Sequence, residues 1–157
     1  MVFTFFGMVN SVVGSSMYPT LHDKDIMLAY RLGYTPAQGD VVVIRTESFM
    51  EEAIVKRVIA TEGQEVEINY DTNTVYVEGV AMDEPYINQE DADVMEEKQG
   101  MVYKEFTVPE GCIFVMGDNR NGSTDSRFGS LGMVDTDYVL GRAVCVVFPF
   151  SDFKSLL

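Results

Sequence analysis

Histidine, the side chain that most often moves protons near neutral pH, occurs once in these 157 residues, at His22. That excludes any two-histidine zinc motif and leaves hydrolytic chemistry short of its commonest base. Nucleophile candidates are easier to find. Gly14-Ser15-Ser16-Met17-Tyr18-Pro19-Thr20-Leu21 sets two serines after Val12-Val13, read as the end of an apolar strand, and before Pro19, which restricts the backbone of Tyr18 and cannot continue a strand ladder. Such a junction can expose a hydroxyl, although Ser-Ser beside a proline is most often only a turn. The Gly-x-Ser-x-Gly elbow is absent, because Tyr18 stands at the last glycine position. A Ser-His-Asp triad would have to use His22, which lies in the polar turn Leu21-His22-Asp23-Lys24-Asp25 and is expected as a solvated surface residue.

A base for the serine must then come from a carboxylate or from one of five lysines. Lys24, Lys98, Lys104 and Lys154 sit among polar neighbours or near the chain end, whereas Lys56 interrupts the apolar run Ala53-Ile54-Val55-Lys56-Arg57-Val58-Ile59-Ala60. Strand alternation puts Ile54, Lys56 and Val58 on one face and Val55, Arg57 and Ile59 on the other. A lysine on such a face either snorkels to water, the commoner outcome, or is partly desolvated. Desolvation is what a general base requires: lowering an amine from its ordinary pKa of about 10.4 by roughly 2 to 3 units takes about 3 to 4 kcal/mol of preference for the neutral form.

A third constellation is Gly117-Asp118-Asn119-Arg120-Asn121-Gly122-Ser123-Thr124-Asp125-Ser126-Arg127-Phe128-Gly129. A calcium loop fails on spacing, since matching Asn119, Asn121 and Gly122 to that pattern puts Gly117 at the first ligand and Phe128 at the bidentate glutamate. A plain Asx-rich turn is one reading. In the other, Asp118, Arg120, Asp125 and Arg127 alternate in sign and lock the loop by charge-assisted hydrogen bonds, with Ser123 pointing inward.

The elements that must position these residues read as short strands: Val41 to Arg45, Ala53 to Ala60, Glu65 to Tyr70, Thr74 to Glu78, Cys112 to Met116 and Ala143 to Phe148, parted by Gly, Pro, Asn and Asp turns. Only short pieces such as Asp135 to Val139 look like helix starts. The expected fold is all-β or mostly β with antiparallel strands. Apolar residues at 46 % exclude a disordered chain, and 25 acidic against 11 basic residues, a net charge of −14, argue against a nucleic-acid partner. The acidity is regional: residues 64–106 carry 12 acidic and 2 basic side chains. We therefore expect a discontinuous β core, 1–63 and 107–150, with an acidic inserted module over 64–106 and a tail over 151–157. The densest acidic stretch, Glu90 to Glu97, reads as a solvated loop or flap. Cys112 and Cys145 are expected as free buried thiols. Residues 1–9 are apolar but far short of the roughly 20 needed to cross a bilayer, and read as a buried or edge strand or as the sequel to an anchor outside this chain.

The three constellations, with Gly39-Asp40-Val41-Val42-Val43 between the first two and Gly63 after Lys56-Arg57-Val58, stand in an order that closely resembles type I signal peptidase, a membrane-bound serine protease that cuts signal peptides from exported proteins. Asp83-Glu84-Pro85-Tyr86 is similar to a stretch common in that family. The resemblance runs from about residue 10 to 148. It implies Ser16 as nucleophile and Lys56 as general base, Ser123 holding the Lys56 amine, and Asp125 paired with Arg127 to fix the loop. The oxyanion donor would be the Ser16 N–H, because Gly14 stands where some members place a serine, as in the Gram-positive type. Val12, Met17, Leu21, Ile54 and Val55 would line the cleft for the small residues before the cut, typically Ala-x-Ala. No metal or other cofactor is implied. The implied partners are signal peptides and a membrane surface, and the implied location is the extracytoplasmic face of the cell membrane. Two alternative readings are a self-cleaving Ser-Lys peptidase of the repressor type and a non-catalytic acidic β module.

Overall fold

The computed structural model describes residues 7–46, 52–89 and 93–157. In chain order the strands are β1 (Gly7–Ser11), β2 (Ile26–Tyr30), β3 (Val41–Ile44), β4 (Ile54–Thr61), β5 (Glu65–Asn69), β6 (Thr74–Val77), β7 (Val80–Ala81), β8 (Glu105–Thr107), β9 (Cys112–Met116), β10 (Val134–Asp135), β11 (Val139–Phe148) and β12 (Lys154–Ser155). All pair antiparallel, in two sheets. The larger runs β1-β2-β11-β3-β4-β9-β10 with β12 against β11, and the smaller runs β7-β6-β5-β8.

The two sheets differ in how their sequences are buried. In β5 and β6 burial alternates, Val66, Ile68, Val75 and Val77 inward with Glu65 and Glu67 in water, the pattern of a sheet with one wet face. In β3 all four residues are buried, and in β4 all but the two ends, so this part of the larger sheet is covered on both sides. Strand β11 exchanges partners along its ten residues, pairing β3 near its start and β2 and β12 further on, with register shifts after Val139, Ala143 and Val146. Such bulges sharpen the local twist and let one strand serve several neighbours.

Between the sheets, Ile59, Ala60, Phe114 and Met116 of the larger pack with Val66, Ile68, Val75 and Val77 of the smaller. Phe114 is fully buried, its ring centroid 4.5 Å from that of Phe106, and each such side chain contributes about 1.5–3 kcal/mol on burial. A second cluster joins Val12, Met17 and Leu21 to Met27, Val41, Val43 and Val55, and so seats the serine segment on the sheet.

Several expectations are corrected. Val12-Val13 follows β1 and does not belong to it. Strand β2 went unread because Ile26-Met27-Leu28-Ala29-Tyr30 is apolar throughout, although Met27 and Ala29 are buried and Leu28 and Tyr30 exposed. The helix start at Asp135 is a single 3-10 turn, Thr136–Tyr138, capped by the Asp135 carboxylate accepting from the Asp137 N–H at 2.8 Å. Residues 154–155, within the expected tail, form β12. Of residues 1–9, only 7–9 are described, in edge strand β1; residues 1–6 lie outside the described residues. Of the acidic stretch, residues 90–92 also lie outside them, while Asp93, Val94, Glu96 and Glu97 are exposed around a buried Met95. Cys112 and Cys145 are free thiols, half-buried rather than enclosed. Among the described residues no helix is long and apolar enough to cross a membrane.

Candidate active site

Ser16 sits on the segment joining β1 to β2. Gly14, with φ of +86°, turns the chain where an L side chain would be strained, and its N–H is held by the Asp23 carboxylate at 2.8 Å. Beyond it, Met17 and Leu21 anchor the segment in the core. Asn119 grips it from the far side: its backbone N–H donates to the Ser16 carbonyl at 3.0 Å and its side-chain amide to the Ser15 carbonyl at 3.1 Å. The Ser16 hydroxyl is thereby fixed in place, while its own N–H has no acceptor among the described residues.

Facing it, Lys56 pairs with Val42 across the β3–β4 ladder. Ile54 and Val58, on its side of β4, belong to one apolar cluster, and Val55 to another. The snorkelling expectation fails for Lys56, which is only 4 % exposed. Its Nζ lies 2.7 Å from Ser16 Oγ. Burial pushes the amine down from its ordinary value to about 8, with Arg127 adding to the fall and Asp125 and Asp118 opposing it. Neutral, the amine accepts the Ser16 proton; charged, it donates to the same oxygen.

The loop following β9 closes the site. Asp125 and Arg127 are fully buried and paired, Arg127 Nε to Asp125 Oδ1 at 2.8 Å and Nη2 to Oδ2 at 3.0 Å. Burial would raise the Asp125 pKa, but Arg127 and the Gly117 N–H, 3.0 Å from Oδ2, hold it below the usual carboxylate range. Ser123 is buried beside them. Its hydroxyl has no well-formed hydrogen bond, and none joins it to Lys56; it lies close enough to Asp125 to help hold that carboxylate charged. Gly117 explains the crowding: a Cβ there would overlap the Ser123 side chain and the Ser16 carbonyl oxygen.

Charge-assisted hydrogen bonds do lock this loop, Arg120 Nε donating to the Gly117 carbonyl at 3.0 Å and Arg127 Nη2 to the Arg120 carbonyl at 2.6 Å, but two of its four charges find their ion-pair partners outside it. Of the four, only Asp125 and Arg127 form an ion pair with each other. Asp118 receives both Nε and Nη2 of Arg57, at 2.8 and 2.7 Å, and the Thr20 hydroxyl, while Arg57 Nη1 reaches the Gly39 carbonyl at 2.8 Å. Arg120 is clasped by Glu84, Nη1 to Oε2 at 3.0 Å and Nη2 to Oε1 at 2.5 Å. Tyr86 lies under the Arg57 guanidinium, 3.8 Å from ring centroid to Cζ. Sequence reasoning gave no role to Arg57, Asn119, Glu84 or Tyr86. The Asp83-Glu84-Pro85-Tyr86 stretch was the one signal that pointed to the last two.

Val12, Met17, Ile54 and Val55 line a cleft of about 230 Å³ that also takes in Ser16 and Lys56. Leu21 does not line it, being fully buried in the core with Met17 and Val55. A larger cavity of about 490 Å³, with Tyr34, Cys112 and Asp137 in its wall, shares no residue with the cleft. His22 is part of neither. Half-buried, it meets Tyr18 edge-on, and its Nδ1 lies 3.8 Å from Asp25 and 3.5 Å from Asp152.

A hydroxyl in contact with a desolvated lysine, beside an apolar cleft on antiparallel sheets, is the constellation of a serine hydrolase whose base is an amine. Comparison with known proteins agrees. Residues 1–148 match the family described as signal peptidase, peptidase S26. Signal peptidase I of Bacillus licheniformis is 38 % identical over 148 residues, covering 91 % of this chain and 77 % of that protein. Signal peptidase IB of Staphylococcus aureus is 34 % identical over 161 residues, covering 92 % and 79 %. A crystal structure of a signal peptidase I from Enterococcus faecalis V583 superimposes with a TM-score of 0.55 at 29 % identity, over 69 % of this chain and 97 % of that one. The chain belongs to the signal peptidase family, peptidase S26, and is a serine endopeptidase.

Proposed function

We propose that this chain removes signal peptides from exported preproteins with Ser16 as nucleophile and Lys56 as general base, at the extracytoplasmic face of a cell membrane. The observation that carries the roles is the 2.7 Å contact between Ser16 Oγ and a buried Lys56 amine. Neutral Lys56 takes the Ser16 proton as Oγ attacks the scissile carbonyl. The unbonded Ser16 N–H is available to the developing oxyanion. The protonated Lys56 then gives its proton to the leaving amine, and neutral again it activates the water that hydrolyses the acyl-enzyme. Asp125 and Arg127 hold the loop that walls the site, with Ser123 packed against Gly117. Val12, Met17, Ile54 and Val55 leave room beside Ser16 for small side chains, which fits substrates of the Ala-x-Ala type. The strands of the larger sheet form the catalytic core and the acidic β5–β8 sheet a module inserted into it.

The test is hydrolysis of a peptide with Ala-x-Ala before the cut, followed for the wild type, Ser16→Ala and Lys56→Ala. Both variants should lose turnover by at least about a thousandfold. Undiminished cleavage by Ser16→Ala would remove the nucleophile from the proposal.

A further inference from the structure

The cleft beside Ser16 is walled by apolar residues and by small polar ones such as Ser15 and Thr124, and apart from Lys56 its one ionisable side chain among the described residues is Glu52. Glu52 is exposed, stands two residues before β4, and makes no ion pair or hydrogen bond among the described residues. Its charge is therefore not neutralised by a neighbour, in contrast to Asp118, Asp125 and Glu84, which are all paired. In the productive complex of the mechanism proposed above Lys56 is neutral, which leaves Glu52 as the charged side chain of the cleft among the described residues. Glu52 and Lys56 are four positions apart in the chain, so their Cα atoms stand no more than about 14 Å apart, the span of four residues of an extended substrate.

We infer that Glu52 is a specificity-determining residue that selects a basic side chain at one substrate position within about four residues of the scissile bond. This rests on the function proposed above and deepens it. The net charge of −14 also attracts basic peptides, but a diffuse field acts on every position alike, whereas an exposed carboxylate acts within about 8–10 Å at ordinary ionic strength. Position dependence separates the two.

The experiment uses a peptide series with Ala-x-Ala before the cut and a single Lys, Gln or Glu scanned from five positions before it to four after. kcat/KM is measured for the wild type, Glu52→Gln, Glu52→Lys and, as a charge control on another surface, Glu110→Gln. The wild type and Glu110→Gln should favour Lys over Glu by about fivefold at one position, and less at high salt. That ratio should fall to about one in Glu52→Gln and invert in Glu52→Lys. A wild-type ratio near one throughout, equal preference at all positions, or a preference that survives in Glu52→Gln each overturns the inference. The Gln peptides separate the two levels: if they are cut while the Lys/Glu ratio is flat, only Glu52 loses its role, and if none is cut the proposed function falls and takes this inference with it.

Discussion

In the proposed mechanism the contact between Ser16 and Lys56 is productive only with the amine neutral, and burial shifts the amine toward that form. An amine moved from about 10.5 to about 8 favours its neutral form by about 3 kcal/mol more in the folded chain than in the unfolded one. The sign of the consequence follows from proton counting. Between pH 8 and 10.5 the folded state binds fewer protons than the unfolded one, so stability rises with pH through that window, and below pH 8 the penalty is present in full. Replacing Lys56 by Met should therefore stabilise the protein at pH 7, by about 3 kcal/mol, with the gain vanishing above pH 10.5. Denaturant unfolding at pH 7 and 10.5 checks this; equal shifts at the two pH values would show that the amine is not desolvated. Catalysis should mirror it, kcat/KM at pH 7 reaching roughly a tenth of its alkaline plateau and at pH 6 roughly a hundredth. Lys56 stood out in the sequence because it alone of the five lysines interrupts an apolar strand. The partners of its neighbours were hidden for a geometric reason: Arg57 and Asp118 are 61 residues apart, and Arg120 and Glu84 are 36 apart, distances over which charge pattern says nothing about pairing.

At the scale of elements, the site is a junction of three segments: the serine segment after β1, strand β4, and the loop after β9. Their closest approach is at Gly117, where a side chain would overlap both Ser123 and the Ser16 carbonyl oxygen. Gly117→Ala must part the serine segment from the loop, and a displacement of about 1 Å at a reacting atom costs on the order of a hundredfold in rate. We expect that loss in kcat, with a protein that still folds. A Gly117→Ala enzyme with wild-type kcat would mean that the junction tolerates separation. The strand content of these elements was legible where burial alternates, as in β5, or where an apolar run is bounded by turns, as in β9. It was not legible in β2, whose exposed face carries Leu28 and Tyr30, nor at Val12-Val13, where the apolar pair belongs to a loop that packs back on the core. Periodicity reports burial, and a loop pressed onto a sheet is buried without being a strand.

Over the whole molecule the charge of −14 divides into two populations with different consequences. Most of the acidic side chains lie in water. A few are buried in pairs, and one of these, Glu84 with Arg120, ties the chain between β7 and β8 to the loop that closes the site. Asn121 of the same loop makes a further tie, accepting from the Glu96 N–H at 2.9 Å and donating to the Val94 carbonyl at 2.8 Å. The small sheet is thus joined to the loop that closes the site by polar contacts, and to the larger sheet by the core around Phe114. Arg120 is 2 % exposed and Glu84 7 %. Removing the carboxylate leaves a guanidinium in a place with little water, a loss of about 3–5 kcal/mol. Glu84→Gln should lower the unfolding free energy by about 3 kcal/mol, whereas Glu110→Gln, at an exposed position, should change it by less than about 0.5 kcal/mol. Adding Arg120→Met to Glu84→Gln should recover part of the loss, because the orphaned charge is then gone. Urea unfolding of the four proteins decides between two accounts of the acidic surface. If Glu84→Gln and Glu110→Gln shift stability alike, total charge governs. If only the first does, and Arg120→Met relieves it, stability depends on the buried pair and the remaining acidity is free to serve the surface.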